Sequence, residues 1–188
     1  MPRATGTVVT DEQLMLDVRA GSREAFETLF ERYRGPVWRF FRRRVEASAR
    51  AEELAHDVFV AILQNAVRYE PRSPFRSYLF GIAYNALMAE RRTAGLRATE
   101  ALPADVPATT PDLDAGLWVR SALASLEPQA REIVMLREYE QLSYVEISDL
   151  LHIPLNTVRS RLFRARMDLR AALSRGADVQ VKVSHDSR

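Results

Sequence analysis

From Asp11 to about Ala94, apolar residues recur at three- and four-residue intervals, and no stretch there keeps the alternation of an extended strand. Thr10 before "DEQLMLDV" predicts an N-cap followed by first-turn acids. Gly21-Ser22 marks a break, after which "EAFETLFERY" carries Ala25, Phe26, Leu29, Phe30 and Tyr33 at helical spacing. Gly35-Pro36 predicts a second break, with Pro36 opening "VWRFFRRRV". A third helix, roughly residues 49–66, places Leu54, Val58, Ala61, Ile62 and Asn65 along one side. The two prolines of "RYEPRSPFRS" require a loop, and a fourth helix over roughly residues 76–92 carries Tyr78, Leu79, Ile82, Ala83, Ala86 and Leu87.

The pattern then changes. Between Thr93 and Asp114 Ala, Thr and Pro dominate, and Pro103, Pro107 and Pro111 interrupt any helix. The expectation is an all-α protein of two small helical domains: an N-terminal bundle over residues 11–94, a flexible linker over 95–116 and a helix-turn-helix domain over 117–175. In the second domain "LWVRSALASL" reads as a helix, Pro128 opens "QAREIVMLREY", Ser143 caps "YVEISDLL", and Leu155 or Asn156 starts an arginine-rich helix. Residues 176–188 alternate Val179, Val181 and Val183; a short strand is one reading of them and a frayed, flexible tail the other.

Charge alters the picture only locally. The formal net charge is +2, from 27 Lys+Arg against 25 Asp+Glu, and every cation but Lys182 is arginine. A near-neutral total places any nucleic-acid argument on clusters of charge. The arginine preference suits phosphates and guanine edges, and a codon bias explains it as well. With no cysteine there are no disulfides or thiolate sites. His56, His152 and His185 lie far apart, so no metal or cofactor is expected. No apolar run approaches a membrane span and no signal pattern opens the chain, so a cytoplasmic location without membrane insertion is expected.

Three segments carry candidate chemistry. In "SYVEISDLLHIPLNTVRSRLFRA" a short helix, a tight proline-containing connection and a second amphipathic helix have the size and order of a helix-turn-helix. The stripe Val158, Leu162, Ala165 and Leu169 is expected to pack on Val145, Ile147, Leu150 and Leu151, which turns Asn156, Thr157, Arg159, Ser160, Phe163 and Arg164 outward. Arg159 can address guanine and Asn156 adenine, while Thr157 and Ser160 suit bases or phosphates. Arg161, Arg166 and Arg170 point toward the flanks, for backbone contacts or salt bridges. A solvated charged face is the plainer alternative.

In "YEPRSPFRSYLFGIAYNALMAERR", Tyr69, Phe75, Tyr78, Phe80 and Tyr84 are interleaved with Arg72, Arg76, Arg91 and Arg92. Rings that stack bases beside cations that follow the backbone suit a single strand; Phe75, Leu79, Ile82 and Phe80 fit a plain core equally well. The helix "EELAHDVFVAIL" sets Glu52, Glu53 and Asp57 beside Val58, Phe59 and Ile62, either a docking surface or a solvated bundle face.

Taken in order, "EELAHDVFVAIL", "FRSYLFGIAYNALMAERR", a Pro/Ala linker and "LASLEPQAREIVMLREYEQLSYVEISDLLHIPLNTVRSRLFRARMDLR" resemble the two regions of a bacterial extracytoplasmic-function (ECF) sigma factor. The resemblance covers nearly the whole chain apart from the ends and the linker. It implies a promoter-specificity subunit that joins core RNA polymerase and binds promoter DNA, with an anti-sigma factor as a further partner. By the same resemblance Glu53, Asp57, Val58 and Phe59 dock on the polymerase. Tyr69, Arg72, Ser73, Phe75, Arg76, Tyr78, Asn85, Arg91 and Arg92 recognise and melt the minus-ten element. The arginine-rich helix reads the minus-thirty-five element as duplex. Tyr78 stands where the family often has tryptophan, and His56 where it often has a small polar residue. The runner-up is a stand-alone helix-turn-helix regulator, which predicts a dimer seam that the sequence does not show; an enzyme finds no motif.

Overall fold

The computed structural model describes residues 9–100 and 115–185. Among the described residues there is no strand, and the chain divides after Pro103 into two compact helical units.

The first unit contains α1 (Asp11–Arg19), α2 (Arg23–Arg42), α3 (Ser48–Asn65), a 3-10 turn (Ala66–Arg68) and α4 (Phe75–Glu100). Thr10 caps α1 by accepting from the Gln13 N–H at 3.2 Å, as its sequence predicts. Gly21 then turns the chain at φ +98°, a conformation that glycine adopts without a Cβ penalty, and the Ser22 hydroxyl caps α2.

The break expected at Gly35-Pro36 does not occur: α2 runs through Pro36 without interruption. An interior proline removes one backbone hydrogen bond and costs about 3 kcal/mol. Leu29, Tyr33, Val37, Phe40 and Phe41 form one buried stripe spanning the proline. Burial of a single such side chain contributes roughly 1.5–3 kcal/mol, so the stripe outweighs the proline.

Phe40 and Phe41 meet edge to face at 5.1 Å, and Phe40 lies 5.7 Å from Phe80 of α4. Phe30 meets Phe59 of α3 at 4.8 Å. With Leu79, Ala83 and Leu87, these rings make the core that fixes α4 against α2 and α3.

The second unit holds α5 (Ala115–Ala124), α6 (Pro128–Glu138), α7 (Tyr144–Leu151) and α8 (Leu155–His185). Pro128 stands at the start of α6, and the Glu127 carboxylate accepts from the Ala130 N–H at 3.0 Å. Ser143 and Glu146 form a reciprocal capping box on α7. The expected linker is shortened at both edges, since α4 reaches Glu100 and α5 begins at Ala115; its remainder lies outside the described residues. The strand reading of the tail is corrected, because α8 continues to His185. A strand there would need a pairing partner, whereas extending a formed helix adds a hydrogen bond per residue with no new nucleus. Residues 186–188 lie outside the described residues.

Candidate nucleic-acid interface

α7 ends at His152, a non-glycine residue in the left-handed region at φ 53°, ψ 44°. The Ser148 hydroxyl donates to the Ile153 carbonyl at 2.7 Å, and the Pro154 carbonyl accepts from the Thr157 N–H at 2.8 Å. The turn is therefore held from both sides, and it delivers α8 against α7 and α6. Val158, Leu162 and Ala165 are buried as their spacing predicts, against Ile147. Leu150, Leu151 and Leu169 are half-buried, but Val145, expected at this seam, faces solvent, because two residues at about 100° each place it on the side of α7 opposite the buried Ile147.

On the opposite side of α8, Asn156, Arg159, Ser160, Phe163 and Arg164 are all exposed, and Thr157 is half-buried. The Arg159 guanidinium donates to the Asn156 side-chain Oδ1 at 3.5 Å, so these two side chains converge over the helix N-terminus. Phe163 is 68% exposed, an apolar ring able to meet a thymine methyl group. The flanking arginines behave differently: Arg166 pairs with Glu138 of α6 at 2.6 Å, and Arg161 hydrogen-bonds the Gln129 side chain. These two brace α8 on α6 and leave the outward face to the residues named above.

In the first unit, the structure divides the aromatic and basic segment into two groups. Tyr69 is 3% exposed and Phe75 1%, and their rings pack together at 6.4 Å with Tyr78 5.1 Å from Tyr69. Tyr69 and Phe75 are thus core residues at the two ends of a loop, not outward stacking platforms. Burial pushes the Tyr69 hydroxyl up to about 12, with Glu12 adding to it, and burial also raises Tyr78. Between these ends Arg72 and Ser73 are exposed, and Arg72 pairs with Glu70 at 2.6 Å.

Along α4, Tyr78 is half-buried and Asn85 and Arg92 are exposed. Seven-residue steps bring these three to nearly one face, a line of about 21 Å. Arg91 is exposed beside it, while Arg76 is half-buried over the Tyr33 and Phe80 rings at 6.0 and 5.3 Å. Asp11 accepts from the Tyr33 hydroxyl at 2.5 Å; burial and this bond raise Tyr33 well above the usual phenol range.

On α3 the expected acidic and apolar surface is only half present. Glu53 and Asp57 are exposed, but Val58 and Phe59 are buried, because they belong to the stripe that packs on α2. Glu53 pairs with Arg50 at 2.7 Å, and Arg50 reaches Glu90 of α4 at 2.6 Å. Most of the apolar part of this surface comes from α2: Phe30, Pro36 and Trp38 face Glu52 and His56 across an open groove of about 510 Å³, whose floor the buried Phe59 helps to line. Trp38 and Pro36 were absent from the sequence reading of this face, and the register of α2 on α3, a tertiary property, is what brings them there.

Residues 29–97 match the family model for Sigma-70 region 2, and residues 116–169 match Sigma-70 region 4. RNA polymerase sigma factor CarQ of Myxococcus xanthus is 34% identical over 161 residues, covering 82% of this chain and 92% of that protein. ECF RNA polymerase sigma factor SigE of Mycolicibacterium smegmatis is 36% identical over 135 residues, 66% of this chain and 52% of that protein. Among solved structures, CnrH in complex with the cytosolic domain of CnrY aligns with a TM-score of 0.64 at 25% identity, over 87% of this chain and 97% of that one. Sigma factor RpoE of Bartonella quintana, solved with the anti-sigma factor NepR, aligns at 0.63 and 22% identity, over 79% and 96%, and shows the same fold.

A helical bundle and a helix-turn-helix unit, matched in order by these two regions, define a DNA-binding transcription initiation factor. The chain belongs to the extracytoplasmic-function sigma factors, which direct promoter-specific transcription as subunits of bacterial RNA polymerase. A stand-alone regulator is not favoured, since it leaves the region 2 match without a purpose.

Proposed function

We propose a division of labour along the chain, with residues 11–94 serving polymerase docking and minus-ten opening, residues 117–175 reading the minus-thirty-five element, and residues 95–116 linking them. The observation that carries it is the exposed set Asn156, Arg159, Ser160, Phe163 and Arg164 at the N-terminal end of α8, freed for a major groove by the turn at His152. In the first domain the loop after Tyr69, with Arg72 and Ser73, and the α4 line of Tyr78, Asn85 and Arg92 follow a separated strand. Tyr69 and Phe75 support that loop from beneath. Opening proceeds without ATP hydrolysis and without catalysis by this chain, since captured bases offset an unstacking cost of a few kcal/mol.

Glu53 and Asp57, with the groove at Trp38, form the polymerase-docking face. The protein acts in the cytoplasm, where its polymerase is; no described helix is long and apolar enough to cross a membrane. Like the Bartonella quintana factor solved with NepR, it is held by an anti-sigma factor.

The test titrates labelled full-length chain with bacterial core RNA polymerase by fluorescence anisotropy and follows transcription from promoters selected by the resulting holoenzyme. Arg159→Ala is expected to lose about 1–3 kcal/mol of discrimination at one minus-thirty-five base pair with core affinity unchanged. Asp57→Arg is expected to weaken core binding and leave the second unit's DNA contact intact. Equal losses of both activities in both variants would overturn the division.

A further inference from the structure

The loop assigned above to the separated minus-ten strand is held at both ends by a helix that lies before the matched region 2. α4 begins at Phe75 directly after Pro74, and proline has no side-chain acceptor to cap the first turn. The Phe75 N–H instead donates to Glu12 Oε1 of α1 at 2.8 Å, a cap supplied from 63 positions earlier in the chain. At the other end of the loop, Arg19 Nη1 donates to the Tyr69 carbonyl at 3.1 Å. Asp11, adjacent to Glu12, holds the Tyr33 hydroxyl, and the Tyr33 ring meets the edge of Phe75 at 5.4 Å. Residues 70–74, all exposed, are therefore suspended between two anchors about two turns apart on one helix.

We propose that Glu12 and Arg19 are positioning residues for promoter opening: α1 fixes the span and direction of the loop from Tyr69 to Phe75, and so the place where an unstacked base is received. The proposal rests on the reading of that loop as the single-strand contact. Neither side chain need touch DNA. A Glu12 carboxylate facing phosphates would repel them, but here it is spent on a helix N-terminus, where a negative charge is stabilising. Two stiff prolines, Pro71 and Pro74, make the loop responsive to where its ends are placed, since each fixes its own φ. Loss of one anchor lets the loop keep its sequence while losing its geometry, which weakens capture of the open strand and leaves polymerase docking on α3 untouched.

The test uses full-length chains carrying Glu12→Ala, Glu12→Gln or Arg19→Ala, each assembled with core RNA polymerase. The probe is a promoter selected by the wild-type holoenzyme, prepared as a fork whose minus-ten non-template strand is single. Glu12→Ala is expected to bind the fork about fivefold to tenfold more weakly, the equivalent of losing one helix cap, with core affinity unchanged. Glu12→Gln restores binding, because its amide oxygen still accepts from Phe75. Permanganate reactivity of minus-ten thymines follows the same order. Wild-type fork affinity in Glu12→Ala and Arg19→Ala overturns the proposal. So does a parallel loss of core affinity that Gln does not rescue, which marks a general folding effect. If the wild-type holoenzyme itself fails to prefer the selected fork over one with a scrambled single strand, the loop reading falls, and the proposal with it.

Discussion

Tyr69 shows how the same residue type answers to two different environments. In sequence it is an aromatic beside cations, fit to stack a base; in the fold its ring lies under the loop, and its hydroxyl is buried with no hydrogen-bond partner among the described residues. A buried unpaired hydroxyl costs about 1–3 kcal/mol, so Tyr69→Phe is expected to leave stability unchanged or raise it by about 1 kcal/mol, measured as the chemical-denaturation midpoint. Its pKa, pushed up to about 12 by burial and then by Glu12, adds a pH dependence of definite sign. The unfolded phenol ionises near 10, so between that pH and about 12 the unfolded chain has released a proton that the folded chain retains. Folding stability is complete below pH 10 and falls as pH rises through that window. Tyr69→Phe should flatten part of this alkaline loss. An unfolding free energy that drops by more than about 1 kcal/mol in Tyr69→Phe would mean that the hydroxyl has a partner after all.

At the scale of elements, what could be read in the sequence was what depends on neighbours in the chain. Thr10, Ser22 and Ser143 mark helix starts through bonds made within three residues, and Pro128 does so through its fixed φ at the first position of α6. The outward face of α8 followed from period alone, since Val158, Leu162 and Ala165 fix its rotation. Pro36 and Val58 depart from expectation because their places are set across helices: the core stripe of α2 overrides a local breaker, and the packing of α3 on α2 decides that Val58 faces inward. The anchoring of α4 by Glu12 was invisible for the same reason. The retained proline has a measurable consequence. Pro36→Ala restores a backbone donor in α2 and is expected to stabilise the first unit by up to about 3 kcal/mol, seen as a higher thermal midpoint. No gain would mean that Pro36 already sits in a strain-free turn of the helix.

For the molecule as a whole, charge bears on how DNA binding is licensed. Net charge is only +2, and several arginines are committed to acids within the fold, among them Arg32 to Asp11, Arg50 to Glu53 and Glu90, and Arg166 to Glu138. Non-specific affinity arises from phosphates neutralised by free cations and collapses with salt, so the isolated chain offers little of it. Specific contacts from one short helix face and one loop, each a handful of side chains, must also overcome the entropy of ordering two separate units on one DNA. On the division of labour proposed above, core polymerase would remove that cost by holding both units before DNA arrives. The free chain is therefore expected to show no sequence-specific retention of a selected promoter at about 0.15 M salt, while the holoenzyme binds it tightly. Anisotropy of a labelled promoter fragment, titrated with the chain alone and then with core polymerase present, decides the matter. Tight promoter binding by the chain alone at that salt would place the licence in α8 itself and make the polymerase a passenger in recognition.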